Sequence, residues 1–146
     1  MKALRKIEQN TVNGSIFMHS MPGLKEDLVD FMDTIKKNHV ERIYCLTDIK
    51  EIEDRSPHYL EALYYGHYDR IAITYNPNPD FGVPVLEKDL LVYDKAIHEA
   101  YNILKEGNIL IHCRGGAIGN SGTPFCRSRN FVIIVKYHFS IRILSF

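Results

Sequence analysis

Four short apolar runs along the chain predict buried β-strands, because each is bounded by polar or turn-forming residues. They cover residues 15–19, 42–46, 70–75 and 108–112. The residues 76–84 contain three prolines among Asn, Asp and Gly, a composition that predicts a loop and nearly excludes a helix.

Apolar residues spaced three and four apart predict helices between these runs. The first predicted helix carries its apolar face on Leu24, Leu28, Phe31, Met32 and Ile35. A second helix should start with Ser56 as N-cap and Pro57 at its first position, and it should end at Gly66. A third and longer helix through residues 90–104 should end at Gly107 as its C′ glycine.

Strands that alternate with helices predict an α/β fold with a mainly parallel sheet flanked by helices. Ligands of such sheets gather outside the carboxyl ends of the strands. The segment that follows the run 108–112 is therefore the first place to look for a site.

Length and composition narrow the class of protein. The chain has 146 residues, 45% apolar and 25% charged, which predicts one globular domain over residues 1–146 and excludes a disordered or collagen-like chain. The N-terminus has no apolar core of a signal peptide, and no run of about 18 apolar residues predicts a membrane span. The three cysteines form no CxxC pair, which disfavours a disulfide framework or zinc knuckle. We therefore expect a cytoplasmic protein without membrane association.

The formal net charge of zero removes overall basicity as an argument for nucleic-acid binding. The charge is nevertheless uneven, because residues 107–146 contain five Lys and Arg side chains and no acid, whereas the rest of the chain carries the balancing negative charge. This distribution favours either an anion site or a basic tail, and composition alone does not decide between them.

A glycine-rich segment follows the last predicted strand and reads His-Cys-Arg-Gly-Gly-Ala-Ile-Gly-Asn-Ser-Gly-Thr over residues 112–123. Clustered glycines allow successive backbone N–H groups to converge on one anion. The segment has neither the lysine nor the spacing of a nucleotide-binding P-loop. Cys113 stands at its start, where converging N–H dipoles would lower a thiol pKa, so Cys113 is the candidate nucleophile toward a phosphoester.

This segment resembles the signature loop of the cysteine-dependent protein tyrosine phosphatases, whose pattern is His-Cys-x5-Arg-Ser/Thr-Gly. Its Gly-Gly pair is similar to the dual-specificity-like members, including bacterial ones and the branch associated with cyclin-dependent kinases. Independently, Asp80 within Pro-Asp-Phe-Gly-Val-Pro resembles the general-acid segment of the same family, and it lies 33 residues before Cys113. The resemblance covers about residues 12–123.

The resemblance implies hydrolysis of phosphomonoesters through a phosphocysteine, with no metal or cofactor. The expected substrate is a phosphorylated protein or a small phosphomonoester, and the oligomeric state is left open. Cys113, Asp80 and Ser121 would be the catalytic residues, with the Ser121 hydroxyl stabilising the departing thiolate, and His112 would fix the loop by hydrogen bonding. The phosphate would be held by Arg114, Gly115, Gly116, Ile118, Gly119 and Asn120.

The sequence departs from the family pattern at the arginine that holds two phosphate oxygens. After the five residues that follow Cys113, where the family has its arginine, the chain has Gly119, and treating Ala117 as an insertion puts Asn120 in the arginine's place. Asparagine donates hydrogen bonds but supplies neither charge nor a bidentate fork. Loss of such a group typically costs about 2.7–4 kcal/mol of transition-state stabilisation, so we expect weak turnover.

The final residues depart from the family as well. Residues 135–143 alternate apolar and polar positions with period two, a strand pattern where the family has an amphipathic helix. We interpret residues 124–146 as an atypical C-terminal layer, produced by truncation or an altered reading frame. Three hypotheses follow: a weak phosphatase, a pseudophosphatase that binds a phosphorylated partner, or a non-functional remnant.

Overall fold

The computed structural model describes residues 4–7, 12–75 and 87–113. Its strands are β1 Arg5–Ile7, β2 Ile16–His19, β3 Val40–Cys45, β4 His67–Tyr68, β5 Ile71–Tyr75 and β6 Asn108–His112. Its helices are α1 Leu28–Lys37, α2 Ile49–Arg55, α3 Pro57–Tyr65 and α4 Glu87–Leu104. The predicted loop at 76–84 and the atypical segment 124–146 lie outside the described residues, and the single domain over 1–146 stays a prediction.

The strands form one sheet in the order β1-β2-β6-β3-β5-β4. The four central strands β2, β6, β3 and β5 run parallel, and the short edge strands β1 and β4 pair antiparallel with their neighbours. The predicted α/β class with a mainly parallel sheet is therefore confirmed. All four predicted strands are present, whereas β1 and β4 were not predicted.

Helices cover both faces of the sheet, as buried parallel strands require. Alternate residues of β6 point to opposite faces: Ile109 and Ile111 pack in a cluster with α4, and Leu110 packs in a cluster with α1, α2 and α3. The central strand is consequently buried on both sides, which fixes its register and the position where it ends.

Helix α1 begins one turn later than its apolar spacing predicted. Asp27 is its N-cap, and its carboxylate accepts the Val29 amide at 2.9 Å. Leu24 lies in the preceding turn, where it packs against the core without being helical. The cap therefore determines where α1 begins. Lys36 and Lys37 lie in its last turn, where the helix dipole favours positive charge.

The junction between α2 and α3 combines one predicted feature with one that was missed. Ser56 and Pro57 start α3 and Gly66 ends it in the left-handed conformation, as predicted. The Ser56 hydroxyl, however, makes no cap bond; it donates to the Pro22 carbonyl at 2.7 Å and ties α3 to the segment that precedes α1. Helix α2 was not predicted because, over seven residues, it buries only Ile52.

A polar network fastens α4 to the sheet on the opposite face. Glu99 of α4 accepts the Tyr44 hydroxyl at 2.9 Å and lies 3.2 Å from the Arg42 guanidinium. Arg42 also donates to the Thr74 hydroxyl at 2.7 Å. Burial raises the pKa of Tyr44, with the Glu99 carboxylate as the next cause, so Tyr44 remains a neutral donor. One carboxylate thus connects α4 with β3 and β5.

Gly107 follows α4 as predicted, but it does not adopt the left-handed C′ conformation. Among the described glycines only Gly23 and Gly66 have positive φ. A Cβ at Gly107 would lie 2.6 Å from the carboxyl carbon of Glu41, the end of an exposed side chain that can move aside. Gly14 is packed against the same turn, with its amide donating to the Leu104 carbonyl at 2.8 Å.

We expect Gly14→Ala to lower the free energy of unfolding by about 3 kcal/mol, at the upper end of overpacking costs. The new Cβ would lie 1.8 Å from the Gly107 carbonyl oxygen and 2.8 Å from that of Leu104, and neither backbone atom can rotate away. Urea unfolding followed by circular dichroism measures the loss. Gly66→Asn is the control, because Gly66 has no atom near its Cβ position and asparagine tolerates the left-handed conformation. This variant should lower the free energy of unfolding by less than about 1 kcal/mol. Equal losses for the two variants would contradict the assignment.

Candidate functional site

Three neighbouring parallel strands end together and carry polar side chains at their last positions. His19 of β2 and Cys45 of β3 are both in register with His112 of β6, which lies between them. All three side chains are buried, and the Leu46 amide donates to the His112 carbonyl at 3.1 Å just past the strand ends. Buried polar groups at the carboxyl edge of a parallel sheet mark the region where ligands bind in such folds.

Cys113 directly follows β6 and therefore leaves the sheet at the middle of this edge. Its exposed fraction is 7%, and it forms no disulfide bond with Cys45 on the neighbouring strand. The remaining predicted site residues lie outside the described residues. They are Asp80, Arg114, Gly115, Gly116, Ile118, Gly119, Asn120 and Ser121.

His112 is fixed by a hydrogen bond to a distant helix. Its Nε2 lies 2.7 Å from the Tyr59 hydroxyl of α3, and the two rings meet edge to face with centroids 5.2 Å apart. Its Nδ1 lies 3.4 Å from the Cys113 carbonyl oxygen. Both contacts are satisfied if Nδ1 carries the proton and Nε2 accepts from Tyr59.

The environment keeps His112 neutral. Burial lowers the pKa of His112 to about 3; the nearby His19 lowers it further, and the hydrogen bond to the Cys113 carbonyl only partly opposes this. A neutral imidazole adds no positive charge next to Cys113, and it does not act as a proton acceptor near neutral pH. The expectation that His112 fixes the segment by hydrogen bonding, rather than acting as a base, agrees with this geometry.

Tyr59 and Cys45 complete the buried cluster beneath the strand ends. Burial raises the pKa of Tyr59 well above its usual value, and the neighbouring Cys45 raises it further. Burial likewise raises the pKa of Cys45 to about 12, although its thiol donates to the Thr47 carbonyl at 3.6 Å. Both groups stay protonated at neutral pH, so Cys45 is a core residue rather than a nucleophile.

His19 connects this cluster to the segment that follows β2. Its Nδ1 lies 2.8 Å from the Ser20 carbonyl, and its ring packs against Phe31 with centroids 5.0 Å apart. Its Nε2 lies 3.9 Å from a carboxylate oxygen of Glu26, whose side chain is only 5% exposed. The buried polar edge therefore continues from His112 through His19 to Glu26.

The part of the chain that the structure describes contains no group of three or more His, Cys, Asp or Glu side chains positioned to hold a metal ion. Within the same residues, no helix combines the length and the apolar character needed to cross a membrane. The expectation that the site works without a cofactor stays a prediction.

Comparison with known proteins gives a structural likeness only. No protein-family model and no curated protein matches the sequence. Among solved structures, the chain is similar to a kinase associated phosphatase whose catalytic-site cysteine was replaced by serine, with a TM-score of 0.62 and 20% identity. The match covers 77% of this chain and 65% of the phosphatase chain, so this chain spans less than two thirds of its neighbour's length. The likeness shows a phosphatase-like fold.

Sequence reasoning identified the edge and His112 but missed the partner of His112. Tyr59 stands 53 residues earlier, in a helix whose apolar spacing explains its burial without indicating a polar contact. The only sequence feature that pointed to this contact was a tyrosine on the apolar face of the helix, because a buried tyrosine hydroxyl needs a hydrogen-bond partner.

We expect Tyr59→Phe to lower the free energy of unfolding by about 1–3 kcal/mol, because it leaves the buried Nε2 of His112 without its partner while keeping the ring packing. Urea unfolding measures the effect. Tyr64→Phe on the same helix is the matched control, because Tyr64 is 73% exposed and should change stability by less than about 0.5 kcal/mol. An unchanged stability of Tyr59→Phe would mean that the hydrogen bond contributes nothing.

Proposed function

We propose that this chain is a dual-specificity-like phosphatase domain that binds phosphomonoesters at Cys113 and hydrolyses them slowly. The observation that carries the proposal is the position of Cys113, which leaves the central parallel strand next to a buried and hydrogen-bonded His112. The glycine-rich sequence that follows supports an anion cradle, and the phosphatase-like fold supports the class of reaction.

In the proposed reaction, the Cys113 thiolate attacks phosphorus and the bond to the leaving oxygen breaks. Asp80 gives its proton to that oxygen, which departs as an alcohol or phenol. The Asp80 carboxylate then takes a proton from a water that attacks the phosphocysteine, releasing inorganic phosphate and the Cys113 thiolate, with the Ser121 hydroxyl stabilising that thiolate. Because His112 is neutral, the charge that stabilises this thiolate must come from backbone N–H groups or from arginines.

A second candidate function is a pseudophosphatase that binds a phosphorylated partner without turnover. The absence of an arginine at the sixth position after Cys113 favours it, because hydrogen bonds from backbone amides and Asn120 can hold a phosphate but supply no charge to stabilise the transition state. Hydrolysis of p-nitrophenyl phosphate by the wild-type chain, compared with Cys113→Ser, separates the two. A non-functional remnant would instead fail to unfold cooperatively.

We expect iodoacetamide to alkylate Cys113 faster than Cys45 or Cys126 at neutral pH, and we expect inorganic phosphate to slow this reaction. The physical reason is that a thiolate reacts whereas a buried thiol does not, and burial holds the pKa of Cys45 at about 12. Mass spectrometry of peptides measures the three rates. Cys45→Ala is the control and should leave the Cys113 rate unchanged. Faster labelling of Cys126, or no protection by phosphate, would remove the anion site from Cys113.

We expect deletion of Ala117 combined with Asn120→Arg to raise kcat/KM by about a hundredfold, since phosphoryl-transfer arginines contribute about 10³–10⁵ in rate. Deletion restores the five-residue spacing, and the guanidinium supplies two parallel hydrogen bonds to phosphate oxygens. Each change alone should do little, so the pair should be strongly non-additive. Steady-state hydrolysis of an aryl phosphate measures the four proteins. A folded double variant without activity would favour the remnant hypothesis.

A further inference from the structure

A groove of about 550 Å³ opens between the segment that leads into α1 and the start of α3. Its two walls are joined by the hydrogen bond from the Ser56 hydroxyl to the Pro22 carbonyl, 2.7 Å long and buried. Residues 20–27 leave the carboxyl end of β2, and α3 supplies Tyr59 to His112. The segment 20–27 and α3 thus connect the groove to the strand ends from which Cys113 emerges, and the groove extends from there to Tyr68, which pairs with the first residue of β5.

The lining of the groove carries an excess of negative charge from Glu26, Asp27 and Glu61. Its only Lys or Arg among the described residues is Arg55, whose guanidinium lies 3.8 Å from the carboxylate of Asp54. The lining therefore carries three carboxylates against one guanidinium, and this balance favours a cation.

The three carboxylates are not equally engaged. Asp27 caps α1 through the Val29 amide, and Glu26 accepts the Gly23 amide at 3.4 Å while facing His19. Glu61 is exposed on α3 and has no hydrogen-bond or ion-pair partner among the residues that the structure describes. Glu61 is therefore the carboxylate best placed to pair with a cation that enters the groove.

Apolar surface in the same lining fits the stem of a long cationic side chain. Leu28, Val29, Pro57 and Tyr68 contribute this surface, and Val29 is 57% exposed. Lysine and arginine bury their methylene groups against apolar surface while their charged ends reach carboxylates. A groove lined by both apolar surface and carboxylates suits such a side chain better than it suits a free metal ion or an anion.

We propose that this groove binds a lysine or arginine side chain that lies close in sequence to the phosphorylated residue of a protein substrate. The proposal rests on the proposed function, because it places the phosphate at Cys113. The route from the groove to that position runs from Glu26 to His19, then across one strand spacing to His112, which precedes Cys113. The domain would accordingly prefer phosphopeptides with basic residues over neutral ones.

The test uses three short fluorescein-labelled peptides and fluorescence anisotropy with the full chain. The first peptide carries a non-hydrolysable difluoromethylphosphonate analogue of phosphotyrosine with lysines on both sides. The second has norleucine in place of each lysine, and the third has the lysines with unmodified tyrosine. We expect the first to bind about threefold to fivefold more tightly than the second, as for one partly exposed ion pair.

Variants at Glu61 make the test specific. Glu61→Gln should remove the preference for lysine over norleucine, and Glu61→Lys should reverse it. The matched control Glu106→Gln, at an exposed acid after α4 on the opposite side of the sheet, should keep the full preference. Because Glu61 is exposed, these variants are expected to fold, and circular dichroism verifies it.

The outcomes separate this proposal from the proposed function. If the phosphonate strengthens binding but lysine does not, the groove proposal is overturned and the phosphate site stands. If lysine strengthens binding through Glu61 but the phosphonate does not, the groove binds cations and the phosphate site fails. A preference for lysine that survives Glu61→Gln, or no binding by any peptide, overturns the proposal. Glu61-dependent self-association without peptide binding would assign the groove to a second copy of the chain, which also overturns it.

Discussion

 

The hydrogen bond between Tyr59 and His112 holds the last residue of the central strand β6 to helix α3. The Tyr59 hydroxyl lies 2.7 Å from Nε2 of His112. Burial makes the contact obligatory, since neither group reaches water and an unpaired buried ring nitrogen costs about 1–3 kcal/mol. The last residue of β6, directly before Cys113, is therefore held in place by a helix whose tyrosine stands 53 residues earlier in the chain.

The same constraint explains the electrostatic character of the strand ends. His112, Tyr59 and Cys45 are all buried, and burial favours the uncharged form of each. A site built on such a base has no positive charge of its own beneath Cys113. If the proposed function holds, an anion bound there would depend on backbone dipoles and on arginines of the following sequence, and an asparagine in place of the family's arginine would lower the rate.

The parts of the fold that could be predicted from the sequence are those in which local pattern and burial agree. Strand β6 is a continuous apolar run and helix α4 has apolar residues spaced three and four apart, so both were predicted, whereas α2 was missed because it is short and buries one residue. The apolar spacing placed Leu24 in the first helix, but α1 begins after Asp27. The Asp27 cap satisfies backbone amides that an earlier start would leave unpaired.

The candidate site divides in a similar way. The edge of the sheet followed from topology, since parallel strands present their carboxyl ends together. The contact of Tyr59 with His112 and the groove beside Glu61 join segments that are distant along the chain, and no local pattern encodes such a pairing. These features needed the three-dimensional arrangement.

The network around Glu99 has a consequence for the connection between β5 and α4. Thr74 near the end of β5 and Glu99 within α4 are both held by Arg42, so the two elements that flank residues 76–86 are anchored independently of that connection. Doubling the length of a flexible connection costs only about 0.6 kcal/mol of closure entropy. The sheet can thus tolerate insertions or deletions between β5 and α4 while its architecture stays the same.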